Sequence, residues 1–232
     1  MDFKLIYTTM MKNFKDFFKK VKNSIGVLNI TSPSSIKTSF NRYNIDKICE
    51  KYYIQNYSIN DDGTVDVDGE VFLTRKNLKN IPLNFGRVTG NFGCAYNELT
   101  SLKGCPTYVG GDFYCNVNKL KSLEYCPSYV GKNFGCYNNN LTSLEGFPIV
   151  NGNKIDCSYN KNLKNFKGFP EFWEGEVNFI RTGVHHLLRD IPKSLWSKAI
   201  YFINEYDVID INSKVIEDRM REVYNALNIK PS

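Results

Sequence analysis

A chain of 232 residues, 42% apolar and 23% charged, is long enough for one or two compact domains and too apolar to be a disordered polymer. No apolar run reaches the roughly 18 residues of a membrane-spanning helix, and the start, interrupted by Asp2, Lys4 and Lys12, lacks the apolar centre of a signal peptide. Neither a transmembrane segment nor a secretory leader is therefore expected. The net charge of +6 sits wholly in residues 1–51, with ten bases against four acids, while residues 52–232 carry 20 of each. Such asymmetry marks an appended arm with a partner of its own.

In chain order, residues 1–43 form that arm. Met11 to Ile25 predicts an amphipathic helix, with Phe14, Phe17, Phe18 and Val21 on one stripe and Lys12, Lys15, Lys19 and Lys22 on another. A basic amphipathic helix suits a protein groove or neighbouring subunit, a membrane surface or nucleic acid. A Ser/Thr/Asn/Pro stretch at roughly 28–41 is expected as a tether. Residues 44–73 predict an N-terminal cap. It comprises a short helix capped by Asn44, with Ile45, Ile48 and Tyr52 on one face, and a hairpin turning at Asp68-Gly69. The acids Asp62, Asp66, Asp68 and Glu70 do not fit a calcium loop. Registered on Gly69, position 1 is Thr64 and position 12 is Arg75, so a solvated hairpin is expected.

From 69 to 180 the sequence aligns with itself at a period of 21. Phe92, Phe113, Phe134 and Ile155 make one column, followed two residues later by Cys94, Cys115, Cys136 and Cys157. Leu99, Leu120, Leu141 and Leu163 make a third column, and Leu102, Leu123, Leu144 and Phe166 a fourth. Asn97, Asn118, Asn139 and Asn160 make a fifth, and Pro106, Pro127, Pro148 and Pro170 mark the return. A first, degenerate unit at 69–88 reads as two residues short between Ile81 and Pro82. Units of this length cannot bury a core alone and stack into a solenoid. Each Phe-x-Cys predicts a short strand with both ends inward, and the Asn column predicts a ladder that satisfies backbone groups at each corner. The seven cysteines follow the period, are odd in number and include no C-x-x-C pair, so they are expected as reduced core residues.

The pattern L-x-x-L-x-L-x-x-N/C-x-L, with Phe/Ile and Cys at strand positions, resembles the leucine-rich repeat family. The wording N-x-L-T-S-L-x-G-x-P followed by V-G-G-x-F, with the lead-in at 56–73, resembles short bacteriophage-encoded members of it. The resemblance covers roughly residues 45–180. It implies an α/β solenoid of about four to five coils, with parallel strands on one face and helical caps, and a protein–protein interaction role.

Residues 184–232 predict the C-terminal cap. It comprises a helix from Pro192 to Ile203 that faces the last coil with Leu195, Ala199 and Phe202, and a second helix from Ser213 to Leu227. The two histidines, His185 and His186, are adjacent, a poor metal pair. No nucleophile elbow, Walker loop, dinucleotide fingerprint or zinc-protease motif is present. The sequons at Asn29, Asn56 and Asn140 carry little weight without a leader.

An enzyme, a metal site, a cofactor and a small-molecule substrate are not expected. Candidate partner-binding residues on the concave strand face are Tyr96, Tyr114, Asn116, Tyr137, Asn138, Asp156 and Tyr159. A plain solvated sheet with aromatic cross-strand pairs remains the alternative. Three roles stay open: a virion component anchored by the arm, a soluble inhibitor of a host enzyme, and a nucleic-acid- or membrane-associated factor using the arm. The expected location is a reducing host cytoplasm or the particle itself.

Overall fold

The computed structural model describes residues 33–152, 154–171, 173, 175–210 and 214–230. The arm helix at 11–25 lies outside them. The described chain divides into two units after Tyr43. Helix α1 spans Pro33–Tyr52, so the expected tether is helical from residue 33 onward. Proline fits the first helical position, and no Gly or Pro interrupts the following turns. Asn44 is thus interior and exposed rather than a cap. Ile45, Ile48 and Tyr52 pack against the core as expected, beside the fully buried Cys49.

The body is a β-solenoid of about five 21-residue coils. Its strands are β1 (Tyr57–Ile59), β2 (Val65–Val67), β3 (Val71–Phe72), β4 (Phe85–Val88), β5 (Phe92–Gly93), β6 (Tyr108–Val109), β7 (Phe113–Tyr114), β8 (Tyr129–Val130), β9 (Phe134–Gly135), β10 (Ile149–Val150), β11 (Lys154–Asp156) and β12 (Glu176–Asn178). They form two six-stranded sheets, ordered β1-β2-β4-β6-β8-β10 and β12-β11-β9-β7-β5-β3. All pairs are parallel except the β1–β2 hairpin.

Strands therefore occupy two faces rather than one. The return after each proline is not bare. Tyr108-Val109 pairs with Tyr129-Val130, and the hydroxyls of Thr107 and Ser128 donate to carbonyls one coil back, at 3.1 and 2.9 Å. These β-favouring pairs are two residues long and hold only because each coil repeats them.

The hairpin turns at Asp61-Asp62-Gly63, where Asp62 accepts from Thr64 N–H and Oγ1 at 2.9 and 2.7 Å and Gly63 has φ +82°. Asp68-Gly69 instead carries the chain from one sheet to the other. The nearby acids are not merely solvated: Asp66 accepts from Arg87 N–H, Asp68 from Thr89 Oγ1 and Glu70 from Asn91 Nδ2, each one coil onward, at 2.7, 2.9 and 2.6 Å.

The first coil is full length. Val71 pairs with Phe92 and Val88 with Val109, both 21 apart. Phe85 occupies the place of Pro106, and Pro82 lies outside the proline column.

The apolar columns are inward as expected, and each member is at most 1% exposed. The Phe92, Phe113 and Phe134 rings stack with centroids 5.8 Å apart and planes within about 11°. The asparagine ladder is complete. Asn118 Nδ2 donates to Cys94 O and Cys115 O at 3.1 Å each, and its Oδ1 accepts from Leu99 N–H at 3.0 Å. Asn97, Asn139 and Asn160 repeat this one coil at a time.

The C-terminal cap holds α2 (Trp196–Glu205) and α3 (Glu217–Ala226). The buried side of α2 is Trp196, Ala199, Ile200 and Ile203, with Leu195 and Phe202 only half-buried. Trp196 is the larger apolar body, and its Nε1 donates to Ile191 O at 2.9 Å, which turns that face inward. Asn204 Nδ2 reaches Phe166 O at 3.2 Å, tying α2 to the last coils. Helix α3 starts later than expected because Val215 is extended and bridges Ile209. No helix among the described residues is long and apolar enough to cross a membrane.

Candidate interaction surface

The strand–corner geometry of the β3–β12 sheet decides what it shows to solvent. Three residues past the end of each strand stands a residue in the left-handed region: Arg75, Tyr96, Val117, Asn138, Tyr159 and Arg181, with φ between 54° and 58°. At Tyr96, Val117, Asn138 and Tyr159 the next residue is the ladder Asn, for which the backbone must leave the strand direction; Arg75 and Arg181, followed by Lys76 and Thr182, keep the same corner in the end coils. A left-handed residue there swings its side chain off the core. Tyr96 and Tyr159 are accordingly 41% and 43% exposed, and Asn138 is exposed.

The expected site residues divide on this basis. Tyr114 stands outward, exposed, on its strand. Asp156 is half-buried and spends one oxygen on Ser158 N–H and Oγ, at 3.0 and 2.6 Å. Tyr137 is half-buried, and its hydroxyl lies 3.2 Å from that of Tyr96, two coils back. That bond, together with burial, pushes the Tyr137 phenol up to about 12.

Asn116 is only 6% exposed and cannot meet a partner directly. A Cβ on Gly135 would fall 2.7 Å from Asn116 Oδ1 and 2.9 Å from the Tyr114 ring, so both side chains lie over that glycine. Asn116 Oδ1 has no hydrogen-bond partner in the protein. The arm candidates Lys12, Phe14, Lys15, Phe17, Phe18, Lys19, Val21 and Lys22 lie outside the described residues.

Two arginines complete the surface and escaped the residue-by-residue reading. The Arg75 guanidinium lies 4.4 Å from the Tyr96 ring centre, and that of Arg181 lies 5.2 Å from Tyr159. Beyond the Asn corner, Lys79, Lys121 and Lys164 recur on every second coil, all exposed. Applying the period to charged positions as well as apolar ones would have found them. The other sheet carries an outer ladder too. Arg87 lies 3.6 Å from the Tyr108 ring, which stacks on Tyr129 at 5.0 Å, and the row ends at Ile149, 70% exposed.

The groups with chemical potential are quiet. Cys49, Cys94, Cys105, Cys115, Cys136 and Cys157 are buried and Cys126 half-buried. Burial pushes the thiols of Cys105, Cys115, Cys126 and Cys136 well up, and that of Cys49 to about 11. His186 Nδ1 lies 3.0 Å from Gly183 O, and His185 packs edge-on to Trp196. Among the described residues no group of three or more His, Cys, Asp or Glu is placed to hold a metal. The chain matches no protein-family model, no curated protein and no solved structure.

Proposed function

We propose that this chain is a non-enzymatic protein-recognition module that holds its partner on the outer face of the β3–β12 sheet. The observation that carries the reading is the row of left-handed corner residues, which lifts Arg75, Tyr96, Asn138, Tyr159 and Arg181 off the core on a rigid, ladder-locked frame. Tyrosine and arginine in fixed positions give contact area at low entropic cost. The thiols support a non-catalytic role, because buried groups with raised pKa are the opposite of an activated nucleophile. Membership of the leucine-rich repeat family, a phage origin and a place in the virion or host cytoplasm belong to the same proposal and rest on the wording of the repeats. In that version the stretch 11–25 attaches the chain and the solenoid is displayed.

The test is capture from the native source with the full-length protein and its Tyr96→Ala/Tyr159→Ala variant. Both side chains are exposed, so thermal unfolding should be little changed. Loss of the captured protein with the variant supports the reading, and unchanged capture overturns it.

A further inference from the structure

We infer that the partner's contacting segment is an acidic stretch of polypeptide, laid along the solenoid axis over the flank that runs from Arg75 to Arg181. The inference rests on the recognition face proposed above and adds the chemistry of its occupant.

Charge carries it. Residues 52–232 hold equal numbers of acids and bases, 20 each. The outward rows of the β3–β12 sheet and the adjoining corner flank do not share that balance. They hold Arg75, Arg181, Lys79, Lys121 and Lys164, together with Lys76, Lys119 and Lys161 on the flank and Lys154 on its strand, nine exposed bases. Glu98 opposes them on the flank, and on the strands Asp156 and Glu176 do, the latter paired with Lys154 at 3.7 Å, which leaves a surplus of six positive charges and makes the remainder of 52–232 negative by the same amount. A fold that gathers one sign on one flank creates a field that selects a partner of the other sign.

The flank already holds one carboxylate. Glu98 meets Lys119 at 3.1 Å, and its carboxyl is lowered by that hydrogen bond and charge, with Lys79 adding to it. Lys121, Lys161 and Lys164 form no ion pair among the described residues.

Geometry separates a polypeptide from a nucleic acid. Single strands are held by bases stacked on open aromatic faces. Here Arg75 and Arg181 cover faces of Tyr96 and Tyr159, and the Tyr96 hydroxyl is engaged with Tyr137. The exposed rings of Phe72 and Tyr114 stand on the strands over Gly93 and Gly135, away from the corner, and what the flank itself offers is a set of cations. Coils about 4.8 Å apart place successive members of the row Lys79, Lys121, Lys164 about 9.6 Å apart. That matches carboxylates on every third residue of a polyproline-II-like chain, which rises about 3.1 Å per residue with three residues per turn and so keeps them on one side.

The test uses the full-length protein and a fluorescent peptide of about 12 residues with Glu at every third position, a length that spans the flank. Anisotropy is read at low and moderate salt for wild type, for Lys79→Glu/Lys121→Glu/Lys164→Glu, and for a control reversal at Lys103, Lys132 and Lys167, which lie off the flank. Bases in 1–51 are common to all three proteins and cancel in the comparison. Expected is a loss of affinity of about tenfold or more for the flank variant only, reduced by added salt. Equal loss in both variants, or none in either, overturns the inference. So does displacement of the peptide by an oligonucleotide of equal charge at lower concentration. If native capture is lost with Tyr96→Ala/Tyr159→Ala but kept with the flank variant, the recognition face stands and the acidic partner falls. If capture survives both, the face reading falls and takes this inference with it.

Discussion

Asn118 Oδ1 accepts a hydrogen bond from the backbone N–H of Leu99, 3.0 Å away and nineteen residues earlier, while its Nδ2 bonds Cys94 O of that same earlier coil. One side chain thus closes two backbone groups of the coil before it and reaches two of its own, Cys115 O and Asn116 O. Without it, these buried backbone groups lose their partner. Asn118→Ala should cost about 3 kcal/mol or more of unfolding free energy, measured by urea denaturation. A cost under about 1 kcal/mol would show that the ladder is dispensable.

Val117 is a β-branched residue at φ 54°, in a row where the next coil places Asn138. Asparagine tolerates the left-handed region and valine does not. Val117→Asn should raise stability by about 1 kcal/mol, or roughly 2–4 °C in Tm. A lower Tm would mean that the half-buried valine methyls matter more than the strain.

The Tyr96–Tyr137 hydroxyl pair gives a second test of surface rigidity. A phenol pushed up to about 12 is protonated more tightly in the fold than in the unfolded chain, where it titrates near 10. The pair's stabilising effect is therefore full below about 10 and is lost as pH rises toward 12. Tyr96→Phe should bring the Tyr137 titration down toward the ordinary value in ring NMR. No movement would show that the two hydroxyls do not meet in solution.

His185 is held below the ordinary histidine value, first by burial and then by Arg189, His186 and Lys193. The unfolded chain therefore binds a proton more readily than the fold. Stability should be unaffected above about pH 6.5 and should decline as pH falls below it. His185→Gln should flatten that slope in thermal scans from pH 7 to pH 5; an unchanged slope would assign it to other groups.

Thiol chemistry should report the core. With six of seven cysteines buried, native protein at neutral pH should label with a maleimide only slowly, starting from the half-buried Cys126, and all seven should react in denaturant. Prompt reaction of any other thiol in the native state would contradict the packing.

Much of this architecture is legible in the letters because a solenoid writes its contacts at a fixed interval. The Phe, Cys, Leu and Asn columns name their neighbours 21 residues away, and the strand register repeats them. What stayed hidden was shorter than the period's signal. Tyr108-Val109 is too brief to announce a second sheet, and Asp68-Gly69 matches a hairpin turn as well as Asp62-Gly63 does. Tyr96 and Tyr159 read as strand residues, although the Asn corner had already bent the chain at their positions. Asn116 looked available, but the next coil's Gly135 lets it lie flat over the backbone beside the Tyr114 ring. The charged flank was visible in principle, but only by asking which lysines share a column.

The left-handed corner has a consequence for how such a molecule changes over time. Its six occupants are Arg, Tyr, Val, Asn, Tyr and Arg, and the backbone at each differs by at most a few degrees of φ. The position accepts all of them, asparagine at the least strain and valine at the most, so chemically unlike residues can be exchanged there while the stack keeps its register. Recognition and architecture are thereby written in separate alphabets, and a lineage could exchange its partner one corner at a time while the spine beneath kept its spelling.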